Sequence, residues 1–225
     1  MFLLAEISTI IILILSLGLT LIITGNYLKK KQASLLAYTS GLWIFSISVA
    51  LEVVFSTGYE TGLLLKSYLV LVAILVELLA LGSVLLLHSM KFTISYGVFM
   101  ILSTAFILIS AAVSPVGDIV THGVVFGVIP LLISISSIVI TFPAAIVLIL
   151  IAAVSYKKTR NQKLISIIIG VIVVSVAGTL YIVQFPAFLY YAEFVGILLL
   201  WIGFVDFSVI KKMFQRSNNG VVKGA

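Results

Sequence analysis

Three ionisable residues interrupt the long apolar stretch 62–88, and they are the first candidates for chemistry. Lys66, Glu77 and His88 stand at equal intervals of eleven residues. Eleven residues make about three turns of an α-helix. If the whole stretch is helical, the three side chains lie on one face of the helix, each about 16 Å from the next. Ionisable groups inside a bilayer are costly and are expected to face protein or water. Glu77 lies near the middle of the stretch, so we expect it to be protonated or paired.

Two further carboxylates, Glu52 and Glu193, lie in other apolar stretches at the same predicted depth as Lys66. Charges surrounded by hydrocarbon need partners, so the matching depths predict a buried cluster of Glu52, Lys66 and Glu193. Such a cluster would either hold helices together or bind a ligand. With Glu77, these residues form the candidate buried polar set.

The residues before Glu52 predict how its helix is oriented. Gly41, Phe45, Ser48 and Glu52 follow one another at steps of four, three and four residues, which is the pattern of one helix face. Small residues on such a face allow another helix to pack closely. We therefore expect Glu52 to face a neighbouring helix.

Several kinds of chemistry are absent from the sequence. The chain has no cysteine, so disulfides, iron–sulfur clusters and cysteine nucleophiles are excluded. Metalloprotease, serine-hydrolase and nucleotide-binding motifs do not occur. The stretch 188–209 has no lysine to hold retinal, and His88 and His122 are predicted on opposite sides, which disfavours a haem between them. We therefore expect no enzyme, no metal site and no cofactor bound by this chain alone.

The composition is that of a membrane protein. Of the 225 residues, 63% are hydrophobic and only 9% are charged, and the mean hydropathy is +1.37. The net charge of +6 could suggest a nucleic-acid partner, but the basic residues lie in short loops between apolar spans. Positive-inside sorting explains them better, so the expected partner is the lipid bilayer of the cell membrane and not nucleic acid.

The apolar stretches predict an all-α integral membrane protein, a bundle of seven transmembrane helices in one domain, 1–209, followed by a short basic tail, 210–225. Each stretch is near the ~20 residues that a bilayer helix needs. The spans are 2–24, 33–57, 62–88, 92–113, 128–154, 164–184 and 188–209. The fifth contains Pro143, where a kink is expected.

The basic residues predict the orientation of the bundle. Twelve of the thirteen lysines and arginines fall on one side of the seven predicted spans, and only Lys66 does not. That side is expected to be cytoplasmic, with the N-terminus outside and the C-terminus inside.

The outer loop 114–127 is the longest predicted connection and is strongly apolar, with Asp118 and His122 as its titratable groups. Exposed apolar surfaces of this kind are more often covered than bare. The loop is therefore a candidate docking site for a partner protein, with Val124, Val125 and Phe126 as the contact residues.

Two resemblances add to this interpretation. Residues 29–52, KKKQASLLAYTSGLWIFSISVALE, resemble the seven-helix membrane modules of sensor histidine kinases in their basic loop, Trp43 and Glu52. That resemblance implies a sensory membrane module. In its composition, cysteine-free and rich in isoleucine and valine, the chain also resembles small hydrophobic subunits of respiratory complexes from thermoacidophilic archaea. That likeness implies a subunit role in electron transport.

Two functions follow as hypotheses. The first is a non-catalytic multi-pass subunit that anchors a partner protein carrying any cofactor. The second is a stand-alone seven-helix sensor or small-molecule carrier, whose ligand site is the outer carboxylate cluster. Purification distinguishes the two hypotheses, because a subunit should co-purify with its partner.

Overall fold

The computed structural model describes residues 2–117, 120–121, 124–125, 129–159, 165–167, 169–174 and 186–205. Five long helices come first, α1 (Phe2–Lys30), α2 (Ala33–Ser56), α3 (Gly62–Leu85), α4 (Met90–Val113) and α5 (Leu131–Thr159). The described residues 165–167 and 169–174 are helical and are called α6, and α7 is Pro186–Phe204. Between α4 and α5, β1 (Val120–Thr121) pairs antiparallel with β2 (Val124–Val125).

Five helices are long and apolar enough to cross a membrane: Ile7–Lys30, Ala33–Ser56, Gly62–Leu85, Met90–Val113 and Leu131–Ile151. A helix is the natural form for these stretches, since it satisfies every backbone N–H and C=O within the segment when no water is present. The chain is therefore a helical, multi-pass membrane protein. The predicted seven spans and the orientation stay predictions, because the described apolar parts of α6 and α7 are shorter.

The turns between the first helices reverse the chain at once. Lys31, directly after α1, has φ +50°, and its N–H donates to the Tyr27 carbonyl at 2.7 Å. Gly58 follows α2 with φ +82°, a conformation that glycine adopts without steric cost. Thr61 then caps α3 by accepting a hydrogen bond from the Leu64 N–H at 3.3 Å. Successive helices are therefore antiparallel.

We name the two ends of the bundle by α1. The N-terminal side is where α1 begins, and the lysine-rich side is where it ends at Lys30. A cluster of buried side chains joins the N-terminal-side ends of α2, α3, α4 and α5, and it contains Phe55, Leu65, Tyr68, Leu69, Ala111 and Ile133. Glu52 lies one turn from this cluster on α2.

The helix α3 is at the centre of the described bundle. It packs against α2, α4 and α5. In the most apolar part of α3, 61% of the residues are buried, against 28% in the corresponding part of α4. Among the described residues, the main core joins α1, α2, α3, α5, α6 and α7 and takes one buried residue, Tyr96, from α4. The rest of α4 is more peripheral and presents exposed Ile101, Leu102 and Ile109. The apolar outer surface of α4 is suited to contact with lipid.

The helix α7 is anchored to α1 and α6. On α1, the Leu15 carbonyl accepts a hydrogen bond from Trp201 Nε1 at 3.0 Å. Against α6, the Leu199 carbonyl accepts one from Ser166 Oγ at 2.7 Å. Phe204 packs edge-on against Tyr38 near the start of α2, with ring centroids 5.2 Å apart. Because Tyr38 lies toward the lysine-rich side, α7 begins on the N-terminal side and runs antiparallel to α2.

Candidate functional site

Glu52 is a buried carboxyl group on α2, one turn before the helix ends. It is 3% exposed, and the other members of its predicted face, Gly41, Phe45 and Ser48, are buried too. Its Oε1 accepts a hydrogen bond from Tyr68 Oη of α3 at 2.6 Å. Its Oε2 is buried and has no hydrogen-bond partner. Half of this carboxyl group is therefore unsatisfied.

Glu193 provides the second carboxyl group, from α7. It is 7% exposed, and its Oε2 is likewise buried without a hydrogen-bond partner. Since α7 runs antiparallel to α2, Glu193 reaches the level of Glu52, and the two groups are close enough for the charge of one to act on the other. The structure thus brings together two of the three residues of the predicted outer cluster.

The third predicted member, Lys66, takes a different position. It is half-buried and forms no ion pair with Glu52 or Glu193 among the side chains that the structure describes. Lys66 lies one turn inside the start of α3, and its long side chain allows the ammonium group to reach the polar boundary. Whether Lys66 joins the two carboxyl groups stays a prediction.

Tyr68 is the residue of this site that the sequence reasoning missed. It lies on the same helix as Lys66, packs edge-on against Phe55 with ring centroids 5.8 Å apart, and donates to Glu52. A tyrosine beside the start of an apolar helix is usually interpreted as an interfacial residue. The available signal was that α2 and α3 are joined by a short turn, so hydroxyl groups on α3 are neighbours of Glu52.

Glu77 forms a separate site between α3 and α4. It is fully buried, its Oε1 is in hydrogen-bonding contact with Ser103 Oγ, and its Oε2 accepts a hydrogen bond from Thr104 Oγ1 at 2.9 Å. Its backbone carbonyl also faces Tyr96 Oη at 3.4 Å. Among the described residues, the partners of the Glu77 carboxyl group are thus hydroxyl groups of α4, and whether Glu77 is protonated stays a prediction.

The predicted stripe of Lys66, Glu77 and His88 is wrong at its third member. The helix α3 ends at Leu85, and His88 has φ +53° in the connection to α4. Its Nδ1 lies 2.9 Å from the Leu86 carbonyl, and the ring is exposed. The helical spacing that would align His88 with Glu77 does not continue beyond the end of the helix.

Six of the fourteen residues of the predicted docking loop lie outside the described residues, among them Asp118, His122 and Phe126. Val124 and Val125 form β2, whose backbone lies against α2. This part of the loop thus folds back onto the bundle itself.

The Glu52–Glu193 pair is the arrangement with the clearest chemical capacity. Within the described ranges, no group of three or more histidine, cysteine, aspartate or glutamate residues could hold a metal ion. Two buried carboxyl groups within electrostatic range can, however, hold a proton on one of them, since both cannot ionise without strong repulsion.

Comparison of the chain with protein-family models, with curated proteins and with solved structures gives no match.

Proposed function

We propose that this chain is a stand-alone membrane carrier or sensor that binds a proton at the Glu52–Glu193 pair. The observation that carries the proposal is the presence of two buried, unpartnered carboxyl oxygens on different helices, Glu52 Oε2 and Glu193 Oε2. An unsatisfied charged oxygen in a protein interior costs free energy that a hydrogen-bond donor or a cation would recover.

A proton fits this pair better than a metal ion. Hard cations such as Ca²⁺ take six to eight oxygen ligands, roughly, and Mg²⁺ requires an octahedral set. Among the described residues, the oxygen that contacts Glu52 is the Tyr68 hydroxyl, and no group of three or more acidic, histidine or cysteine residues could hold a metal ion. A proton requires no further ligands, because it turns one carboxylate into a neutral group that can itself donate a hydrogen bond.

Proton binding at this position would act on the packing of two helices. Glu52 belongs to α2 and Glu193 to α7, so loss of the shared proton places two negative charges between these helices. The repulsion favours a larger separation on the N-terminal side, and protonation favours a smaller one. In a carrier this change would open a route to the site, and in a sensor it would transmit the change in proton concentration.

The experiment measures this separation directly. Because the chain contains no cysteine, Tyr59→Cys after α2 and Tyr191→Cys on α7 give two unique spin-label positions, both exposed in the structure. In lipid bilayers, we expect the distance between the labels to increase when the medium is changed from acidic to alkaline. Glu52→Gln combined with Glu193→Gln should abolish the increase.

The matched control is Glu60→Gln, which neutralises an exposed carboxylate in the loop 57–61 near the same end of α2. This variant should retain the full increase in distance. An unchanged distance in the labelled protein with both glutamates, or an increase that persists in the double glutamine variant, would contradict the proposal.

The second candidate is the non-catalytic subunit that anchors a partner, and the composition suggests a respiratory complex as the assembly. It is supported by the apolar sequence 114–127. Val124→Ser, Val125→Ser and Phe126→Ser together should then release a co-purifying protein while the chain stays in the membrane. Isolation of an intact chain that undergoes the α2–α7 distance change alone would favour the first candidate.

A further inference from the structure

The hydroxyl group of Ser103 has more acceptors around it than it can serve. Its Oγ lies 2.7 Å from the Phe99 carbonyl and 3.1 Å from the Met100 carbonyl, and it is also in contact with Glu77 Oε1. A serine hydroxyl has one hydrogen and two lone pairs. In a helix, that hydrogen is commonly shared between the carbonyl groups three and four residues earlier. If the Ser103 hydrogen stays with these carbonyl groups, the contact with Glu77 Oε1 needs a hydrogen from the carboxyl group.

The second oxygen of Glu77 is occupied in a complementary way. The Thr104 hydroxyl also has one hydrogen, and it is directed to Glu77 Oε2 at 2.9 Å. Oε2 therefore accepts a hydrogen bond, as the carbonyl oxygen of a carboxylic acid does, while Oε1 lies against the Ser103 hydroxyl, a group that can donate or accept. Tyr96 does not compete for either oxygen, because its hydroxyl is directed to the backbone carbonyl of Glu77.

We infer that Glu77 is a second proton-binding site, in which a neutral carboxylic acid donates from Oε1 to Ser103 Oγ and accepts at Oε2 from Thr104. Each hydrogen has one clear role: Thr104 donates to Glu77, Glu77 donates to Ser103, and Ser103 donates to the α4 backbone. In this neutral form each hydrogen is used once, and the full burial of Glu77 disfavours the ionised alternative. An ionised Glu77 would need the Ser103 hydrogen for itself and would take it from the carbonyl groups of Phe99 and Met100.

The two proton sites therefore differ in kind. At the Glu52–Glu193 pair, two oxygens have no partner, so gain or loss of a proton changes the interaction between helices. At Glu77 both oxygens are satisfied by α4 in the neutral form. Its proton is held in place and joins α3 to α4, independently of the function proposed for the pair.

Infrared spectroscopy of the protein in lipid bilayers tests this assignment. The protonated Glu77 carboxyl group gives a C=O stretching band at neutral pH, and Glu77→Gln should remove it. Thr104→Val removes the hydrogen bond to the C=O oxygen, so the same band should move to higher frequency. Glu60→Gln, which alters an exposed carboxylate, should leave the band unchanged.

The band should also persist when Glu52 and Glu193 are both replaced by glutamine, so the test does not depend on the proposed function. Glu77→Gln should fold, because its amide can donate to Ser103 and accept from Thr104 as the acid does. If that variant fails to fold, the shift in Thr104→Val decides the question alone. Loss of a carboxylate band in Glu77→Gln, or an unshifted C=O band in Thr104→Val, would overturn the assignment.

Discussion

Tyr68 provides the hydrogen bond that partly satisfies the buried Glu52 carboxyl group. Its hydroxyl supplies the hydrogen bond at Oε1, while Oε2 has none. Tyr68→Phe would leave both oxygens buried without that donor and should lower the free energy of unfolding by about 1 kcal/mol, the scale of hydrogen bonds within membrane bundles. Thermal unfolding in detergent measures this loss.

The matched control for that change is Tyr59→Phe. Tyr59 is 62% exposed, so removal of its hydroxyl should leave the unfolding temperature unchanged. Equal effects of the two substitutions would show that the Tyr68–Glu52 bond contributes nothing specific.

The candidate site could be predicted from the sequence only in part. Depth along a span can be counted from the sequence, and this count places Glu52 and Glu193 at one level. The rotation of each helix about its axis cannot be counted when nearly every residue is apolar, so neither Tyr68 nor the Thr104 partner of Glu77 was identified. Lys66 shows the same limit, because a long flexible side chain at the predicted depth can extend toward water.

At the scale of elements, the contact between α6 and α7 depends on two glycines. A Cβ added at Gly170 would lie 3.0 Å from the Gly196 carbonyl oxygen and 3.0 Å from the Leu200 nitrogen. Both are backbone atoms, so the helices would have to separate. Gly170→Ala should therefore destabilise the protein by about 1–3 kcal/mol, the usual cost of overpacking, and weaken the Ser166–Leu199 hydrogen bond.

Gly97→Ala provides the comparison for this substitution. Gly97 lies within α4, and nothing is found within 4 Å of an added Cβ. Alanine favours a helix more than glycine does, so this variant should be as stable as the natural protein or more so. Thermal unfolding of both variants measures the difference, and a Gly170→Ala variant as stable as Gly97→Ala would contradict the close α6–α7 contact.

Helix positions were predicted well where apolar stretches are long, and their ends less well. The starts of α2 and α3 agree with the predicted 33 and 62, whereas α1 continues past the predicted residue 24 to Lys30, and α5 past 154 to Thr159. Hydropathy marks the part of a helix that lies in hydrocarbon, but backbone hydrogen bonding continues into the polar boundary. His88 is the opposite case, where the apolar run outlasts the helix.

At the scale of the whole molecule, the orientation in the membrane rests on the distribution of basic residues. Lys29 and Lys30 at the end of α1 and Lys91 at the start of α4 all lie on the lysine-rich side of the bundle. That side should face the cytoplasm, so the N-terminal side should face outward. In intact cells, an impermeant thiol reagent should label Tyr59→Cys but should label Lys91→Cys only after the membrane is permeabilised. The reverse pattern would invert the topology.

The measurement that tests the central claim most directly is a count of protons. The purified chain in lipid vesicles is brought from alkaline to acidic medium, and the protons taken up per chain are counted. The same count is made for two double variants. The test variant carries Glu52→Gln and Glu193→Gln, and the control variant carries Glu60→Gln and Glu77→Gln. If the pair is the exchangeable site, the protein with natural residues at both positions takes up more protons than the Glu52→Gln, Glu193→Gln variant in the range where the label distance between α2 and α7 decreases. The Glu60→Gln, Glu77→Gln variant keeps that uptake in the same range. Equal uptake by the natural protein and the Glu52→Gln, Glu193→Gln variant throughout that range would contradict proton binding at Glu52 and Glu193.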